Sequence, residues 1–247
     1  MTNSSPLHVS IIVQARMGAS RLPGKPLKIS MGKTLLAHLL ARLKRCKEAS
    51  SLLVATTLSP KDILIAREAE KQGVDVYRGS EEDVLSRYLE AAQKVNADAI
   101  CRITADCPLI DPRLIDQMIR LFKESPGIDY LSNTLTRTFP RGMDIEIFRT
   151  SALEKAVRSS KGNEREHVTL YMYRHPEAFR LMNFCYSEDN SKLRWTVDTE
   201  DDLKAIRKIF RLLYKKKPDF SLQDLLELAK EHPEIAKLNA HVEQKKV

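Results

Sequence analysis

Apolar residues along the chain follow two periods. Short runs rich in Val, Ile, Ala and Leu at 8–14, 51–57, 74–77 and 97–104 have the length of buried strands. Between them the spacing changes to three or four: Leu35, Leu36, Leu39, Leu40 and Leu43 recur within 34–46, and Val84, Leu85, Tyr88, Leu89 and Ala92 within 82–95. Each set falls on one face of a helix, and 62–72 and 112–122 continue the series. Strands alternating with helices of this length need right-handed crossovers, which leave helices on both faces of a mostly parallel sheet. Residues 1–125 therefore predict a doubly wound α/β unit.

The alternation then breaks. Strand-like 129–133 and 143–148 are separated by too few residues for a crossover helix, which predicts a small antiparallel insertion. Ser151 followed by Glu154 has the pattern of a capping box opening a helix, and 164–174 reads as a second helix ending before Pro176. Residues 180–186 and 193–197 return as strands. Thr199 with Asp202, and Ser221 with Asp224, cap two more helices that run to about Tyr214 and Lys230, and the Lys-rich end after Asn239 reads as frayed. The 247 residues exceed the ~150 of an average domain, but no repeat or low-complexity linker divides them, so one domain over 1–247 is expected.

Composition narrows the class. Hydrophobic residues at 43% supply a core without metal or disulfide staples and exclude intrinsic disorder. The net charge of +8 favours anionic partners without naming them. Cysteines 46, 101, 107 and 185 form no C-x-x-C pair and no zinc-finger spacing, so they read as reduced thiols. No apolar run approaches the ~18 residues of a membrane span, and Met1–Leu7 carries no leader pattern, so a soluble, cytoplasmic protein is expected.

Candidate chemistry concentrates after the first strand, where Gln14 to Pro26 carries Arg16, Arg21 and Lys25 together with Gly18 and Gly24. Open α/β sheets bind ligands at that strand end. Arg offers a bidentate fork to phosphate, Lys a point charge, and the glycines let backbone amides approach, so the loop suits a polyphosphate. It is neither G-x-G-x-x-G nor a Walker loop: five residues separate Gly18 from Gly24, Pro26 follows Lys25, and Gly32-Lys33-Thr34 lacks its upstream glycine. That disfavours a dinucleotide dehydrogenase and a P-loop NTPase.

Asp106 and Asp198 each end an apolar run, at the strand edge where the basic loop is expected, and two carboxylates beside a triphosphate suit Mg2+. Helix capping by Asp198 and turn formation by Asp106 before Pro108 explain the same residues structurally. Asp144 and Glu146 share one strand face by alternation and suit sugar hydroxyls or a cation, or simply a solvated face. Arg165 and His167 lie in an acid-rich helix start that a helix dipole explains equally well.

The segments IIVQARMGASRLPGK, YRGSEEDVL, TADCPL and WTVDTEDDL, in this order, resemble the spore-coat polysaccharide F-type cytidylyltransferases, relatives of 3-deoxy-manno-octulosonate and acylneuraminate cytidylyltransferases. The resemblance spans roughly 8–210. It implies a glycosyltransferase-A-like, Rossmann-like fold, CTP and Mg2+ as partners, transfer of CMP to a sugar acid with release of pyrophosphate, and a homodimer. By motif, Ala15, Arg16, Gly18, Arg21 and Lys25 would bind the nucleotide with Asp106, while Asp106 and Asp198 would hold the metal. Arg78 and Ser80 match the neighbourhood where relatives recognise cytosine. Residues 128–187 would be a sugar-binding and dimerisation insertion carrying Arg141, Asp144, Glu146, Arg165 and His167, and 218–247 a helical extension. The strand pair near 130–148 would cover itself across a two-fold axis. The loop reads Gln-Ala-Arg where octulosonate enzymes favour Pro-Ala-Arg, and 130–185 follows the F-type pattern, which leaves the acceptor sugar open.

Three other readings compete. A nucleotidyltransferase using another NTP and a sugar phosphate differs by few base contacts, although the Gly-x-Gly usual there is absent. A glycosyltransferase on the same fold would normally carry a D-x-D motif, which Asp106-Cys-Pro lacks. A non-enzymatic anion- or RNA-binding module would rest on +8 and the cations of 207–217, which amphipathic packing of Ile206, Ile209, Phe210, Leu213 and Tyr214 explains as a wet helix face, so no nucleic-acid partner is expected.

Overall fold

The computed structural model describes residues 7–244, and every structural statement below concerns these. The first six residues, read above as free of a leader pattern, and the last three of the Lys-rich end lie outside them. Strand β1 (Val9–Gln14) leads through a hairpin of β2 (Ile29–Ser30) and β3 (Lys33–Thr34) to α1 (Leu35–Leu43) and β4 (Ser51–Thr57). Helix α2 (Ile63–Lys71) then leads to β5 (Asp75–Gly79), and α3 (Val84–Lys94) to β6 (Ala99–Thr104). These four long strands are parallel, in the order β5-β4-β1-β6.

The chain continues through α4 (Pro112–Lys123), β7 (Tyr130–Ser132), β8 (Glu146–Arg149), α5 (Thr150–Ser159), α6 (Leu170–Arg174), β9 (Leu181–Asn183), α7 (Glu200–Leu213), α8 (Leu222–Glu231) and α9 (Pro233–Lys237). The predicted antiparallel element is present and joins the main sheet: β8 runs antiparallel to both β6 and β7, and β9 closes the edge parallel to β7. The result is a mostly parallel mixed sheet with helices on both faces.

Alternation along the strands builds two cores. Val9, Ile11 and Val13 of β1 pack on one side with Cys101, Ile103 and the apolar faces of α1, α4 and α7, while Ile12, Leu53, Ala55 and Ile100 pack on the other with α3 and α5. Thr34, Asp83 and Asp111 cap α1, α3 and α4 by accepting backbone amides.

Several expectations need correction. Ser151 does not cap a helix: β8 runs straight into α5, whose N-cap position is Arg149, because that residue is fixed by its sheet register opposite Ala99. The helix expected at 164–174 divides into a 3-10 turn, Gly162–Arg165, and the short α6, since the Thr169 hydroxyl between them is bonded to Glu146. The strand expected at 193–197 is an extended segment with a single bridge from Arg194 to Arg141. Both β7 and β8 are flanked by other strands, so neither can pair across a two-fold; the edges of the sheet are β5 and β9. The segment after Asn239 is docked rather than frayed through residue 244: Asn239 is buried, and Glu243 and Gln244 bond to Arg21 and Arg194.

Candidate active site

Gln14 is in register with Thr104, so the loops after β1 and β6 share one edge of the sheet. The basic loop is shaped from beneath. Asp62, buried just before α2, accepts the Met17 amide at 2.7 Å on Oδ1 and the Thr57 hydroxyl on Oδ2. The Met17 carbonyl in turn accepts the amides of Ala19 and Gly24 at 2.9 and 3.0 Å. Gly24 takes φ +69°, a left-handed conformation that a side chain would resist, and the chain then enters a 3-10 turn that Pro26 favours. This turn carries Lys25.

Lys25 Nζ lies 2.7 Å from Asp106 Oδ2 and 2.8 Å from Asp198 Oδ1, joining three segments of the chain at one point. Asp106 Oδ1 also accepts the Thr104 hydroxyl at 2.6 Å, and Asp198 Oδ2 faces Arg194 Nη2 at 2.9 Å and Arg21 Nη2 at 3.2 Å. Burial pushes the Asp106 carboxyl up, but the Lys25 charge and the bonds from Lys25 and Thr104 outweigh it and hold the carboxyl below its ordinary value. Burial likewise depresses the Lys25 ammonium, and the two acids reverse that, leaving it above its ordinary value. Lys25 and Asp106 are therefore both charged at neutral pH.

Helix capping does not account for Asp198. Thr199 is the N-cap of α7, with its hydroxyl accepting the Asp202 amide at 3.2 Å and the Asp202 carboxylate reaching back to the Thr199 amide at 3.0 Å. The carboxylate of Asp198 is left facing the loop. Two acid oxygens within 2.8 Å of one ammonium nitrogen concentrate negative charge at one point. The donor set suits Mg2+, which takes one or two carboxylates and completes its octahedron with water and phosphate oxygens. Among the described residues no group of three or more His, Cys, Asp or Glu is gathered for a metal, so a structural zinc-type centre has no counterpart there.

Two cavities meet at the trio, and Arg21, Thr104, Asp106 and Asp198 stand in the walls of both. The smaller, about 250 Å³, is lined by Ala15, Arg16 and Lys25 of the basic loop. The larger, about 780 Å³, lies under β6 and β8 and is lined by Arg102, Arg137, Arg141, Asp144, Glu146 and His167 among others. In its floor Glu146 accepts the Tyr130 and Thr169 hydroxyls at 2.6 Å each and pairs with Arg102. Burial raises the Glu146 carboxyl, but the Arg102 charge and these bonds hold it below the usual range. Arg137 grips Asp144 with two bonds, 2.6 and 2.9 Å. The Arg141 guanidinium makes no hydrogen bond or ion pair within the described residues, while its backbone is fixed to Leu193 and Trp195 at 2.9 and 2.7 Å.

The remaining sequence candidates lie elsewhere. Gly18 sits on the outer turn of the loop near Glu81, off the cavity wall. The Arg78 guanidinium is committed to the carbonyls of Thr57 and Ser59 at 3.0 Å each, and the Ser80 hydroxyl accepts the Asp83 amide at 3.0 Å; neither residue lines either of these two cavities. Arg165 does not face the larger cavity either, because Asp83, Ser86 and the Val157 carbonyl hold it against the start of α3. The structure adds Arg102, Arg137, Arg194 and Asp62. Of these only Arg102, a charge in the middle of an otherwise apolar strand, gives a visible signal in sequence. The cations of 207–217 are partly spent on neighbours, Arg207 on Ile29, Lys208 on Glu234 and Lys217 on Asp224. Among the described residues no helix is long and apolar enough to cross a membrane.

A basic loop meets a pair of acids at the carboxyl edge of such a sheet, and the protein is an enzyme of the nucleotidyltransferase class. A family model described as cytidylyltransferase matches residues 10–247, and the chain belongs to that family. It is 39% identical, with TM-score 0.90, to the solved structure of a cytidylyltransferase from Leptospira borgpetersenii, covering 98% of this chain and 100% of that one. It is 32% identical to the spore coat polysaccharide biosynthesis protein SpsF of Bacillus subtilis, over 92% of this chain and 96% of the relative. The structure of a CMP:2-keto-3-deoxy-manno-octonic acid synthetase complexed with CTP matches 83% of this chain and 99% of its own with TM-score 0.66; at 20% identity that likeness speaks for the fold.

Proposed function

We propose that the protein transfers CMP from CTP to a hydroxyl of a sugar acid of ulosonic or nonulosonic type, releasing pyrophosphate, with Mg2+ as cofactor, for a surface polysaccharide or glycan. The observation that carries this reading is Lys25 bridging Asp106 and Asp198 where the two cavities meet. The family membership and the names of the relatives above support the choice of CTP and of a sugar acid.

In this reading the smaller cavity takes the triphosphate and the larger the acceptor. The sugar hydroxyl attacks the α-phosphorus in line; a new P–O bond to the sugar forms as the bond to the β-phosphate oxygen breaks. Arg16, Arg21 and Lys25 neutralise the leaving pyrophosphate, and Asp106 and Asp198 hold the cation. When bound, Mg2+ would withdraw charge from the phosphate oxygens and acidify the attacking hydroxyl. Arg141, with its guanidinium unspent, receives the sugar carboxylate as a bidentate pair. The Arg137–Asp144 and Arg102–Glu146 pairs present fixed polar groups to hydroxyls. Arg78, spent on the carbonyls of Thr57 and Ser59, steadies the loop after β4 rather than touching the base. Positioning and charge neutralisation supply the rate, and no covalent enzyme intermediate is needed.

Thermal stabilisation across CTP, UTP, GTP and ATP, each with and without Mg2+, tests this. A ligand at 100 times its Kd stabilises by about 2.7 kcal/mol, or roughly 5–10 °C for a chain of this size. The largest shift is expected with CTP plus Mg2+. Equal shifts with all four nucleotides, or one indifferent to the metal, would contradict the assignment.

A further inference from the structure

We infer that Gln244 donates its side-chain amide to the acceptor, so that the segment after α9 completes the acceptor pocket; this rests on the cytidylyl-transfer reading of the same site. That segment is locked down before it arrives. Asn239, buried, donates from Nδ2 to the Arg194 carbonyl at 3.1 Å and to Asp202 Oδ1 at 2.9 Å, and its carbonyl accepts the Val242 amide at 3.0 Å. The Glu243 carbonyl then accepts Arg21 Nη1 at 3.1 Å. Gln244 follows on the wall of the larger cavity, with Oε1 accepting Arg194 Nη1 at 2.9 Å.

Arg194 decides which way the amide points. A guanidinium only donates, so the Gln244 oxygen must face it and the NH2 must face away. Among the described residues nothing accepts those two N–H groups. The rest of the Arg194 fork is spent on Asp202, at 2.8 and 3.1 Å, and on Asp198, at 2.9 Å. One side chain, 6% exposed, thus holds a proposed cation ligand and orients Gln244. A neutral pair of donors beside the Arg cluster fits a lone pair of a sugar hydroxyl or carboxylate, groups that a sugar acid carries.

The test compares Gln244→Glu, which keeps an oxygen for Arg194 but replaces the donors, and Gln244→Leu with the wild type. Pyrophosphate release is followed with CTP and a panel of sugar acids led by 3-deoxy-manno-octulosonate and N-acetylneuraminate. The expected result is a KM for the sugar acid raised about tenfold in both variants, the loss of one hydrogen bond to the ligand. The KM for CTP and the CTP-induced shift in Tm should stay at wild-type values. An unchanged sugar-acid KM in Gln244→Glu overturns the inference, as does an equal rise in both KM values. A wild-type chain that releases no pyrophosphate from CTP with any sugar acid overturns the parent reading and the inference together; an active wild type with unaffected variants overturns the inference alone.

Discussion

Asparagine in place of Asp106 or Asp198 is expected to lower the rate of pyrophosphate release by about 10²–10³-fold, the usual cost of removing one group that stabilises developing charge. Each substitution keeps the side-chain volume and removes the anion. Lys25 now bridges both acids at 2.7 and 2.8 Å, so losing either one halves the negative charge available to a cation at that point. In Asp106→Asn the Thr104 hydroxyl retains a partner on the amide oxygen, and in Asp198→Asn the helix cap built by Thr199 and Asp202 is untouched, so both folds should survive. Circular dichroism and a melting curve beside the assay separate lost chemistry from lost structure. Rates within fivefold of wild type in a folded variant would remove that residue from the proposed cation site.

Gly142→Ala should be the most damaging single methyl in the cavity wall. The residue takes φ +98°, and a Cβ built there would lie 2.5 Å from the Trp195 carbonyl carbon and 2.6 Å from its oxygen. Backbone cannot swing aside as a side chain would, since the Arg141 amide donates to the Leu193 carbonyl and its carbonyl accepts the Trp195 amide. Relief requires breaking that bridge, so the expected cost is about 3 kcal/mol or more, the upper end of backbone strain. For a chain of this size that lowers Tm by roughly 6–12 °C. The same shift would displace Arg141, so sugar-acid binding should weaken in whatever fraction remains folded. A Tm within 2 °C of wild type would show that 141–142 does not approach 195 this closely.

The doubly wound half is legible in sequence because its information is local. Strand alternation in β1 and β6 and the leucine faces of α1 and α3 each follow from spacing within a dozen residues. Residues 130–198 resist the same treatment because backbone and side-chain bonds to distant segments set their conformation. Thr169 breaks a helical pattern by bonding Glu146, and Arg149 loses any freedom as a cap to sheet register. In the site, Arg16, Arg21, Lys25, Asp106 and Asp198 stand out as charges at the ends of apolar strands, and the structure brings all five to one edge. Arg194 and Gln244 do not stand out. One sits in a polar run before Trp195 and the other in a polar tail, and their pairing spans 50 positions. Arg165 shows the reverse error: a charge near a promising motif is spent on Asp83, 82 positions away.

The gathering of the basic loop and the two acids around a metal-chelated nucleotide is tested most directly by electron paramagnetic resonance of Mn2+ as a stand-in for the native cation. Mn2+ is titrated into wild type, Asp106→Asn and Asp198→Asn with a non-hydrolysable CTP analogue present. One tightly held ion per wild-type chain, weakened at least tenfold in each variant, is the expected outcome. Equal Mn2+ affinity in all three proteins would show that these carboxylates do not hold the metal.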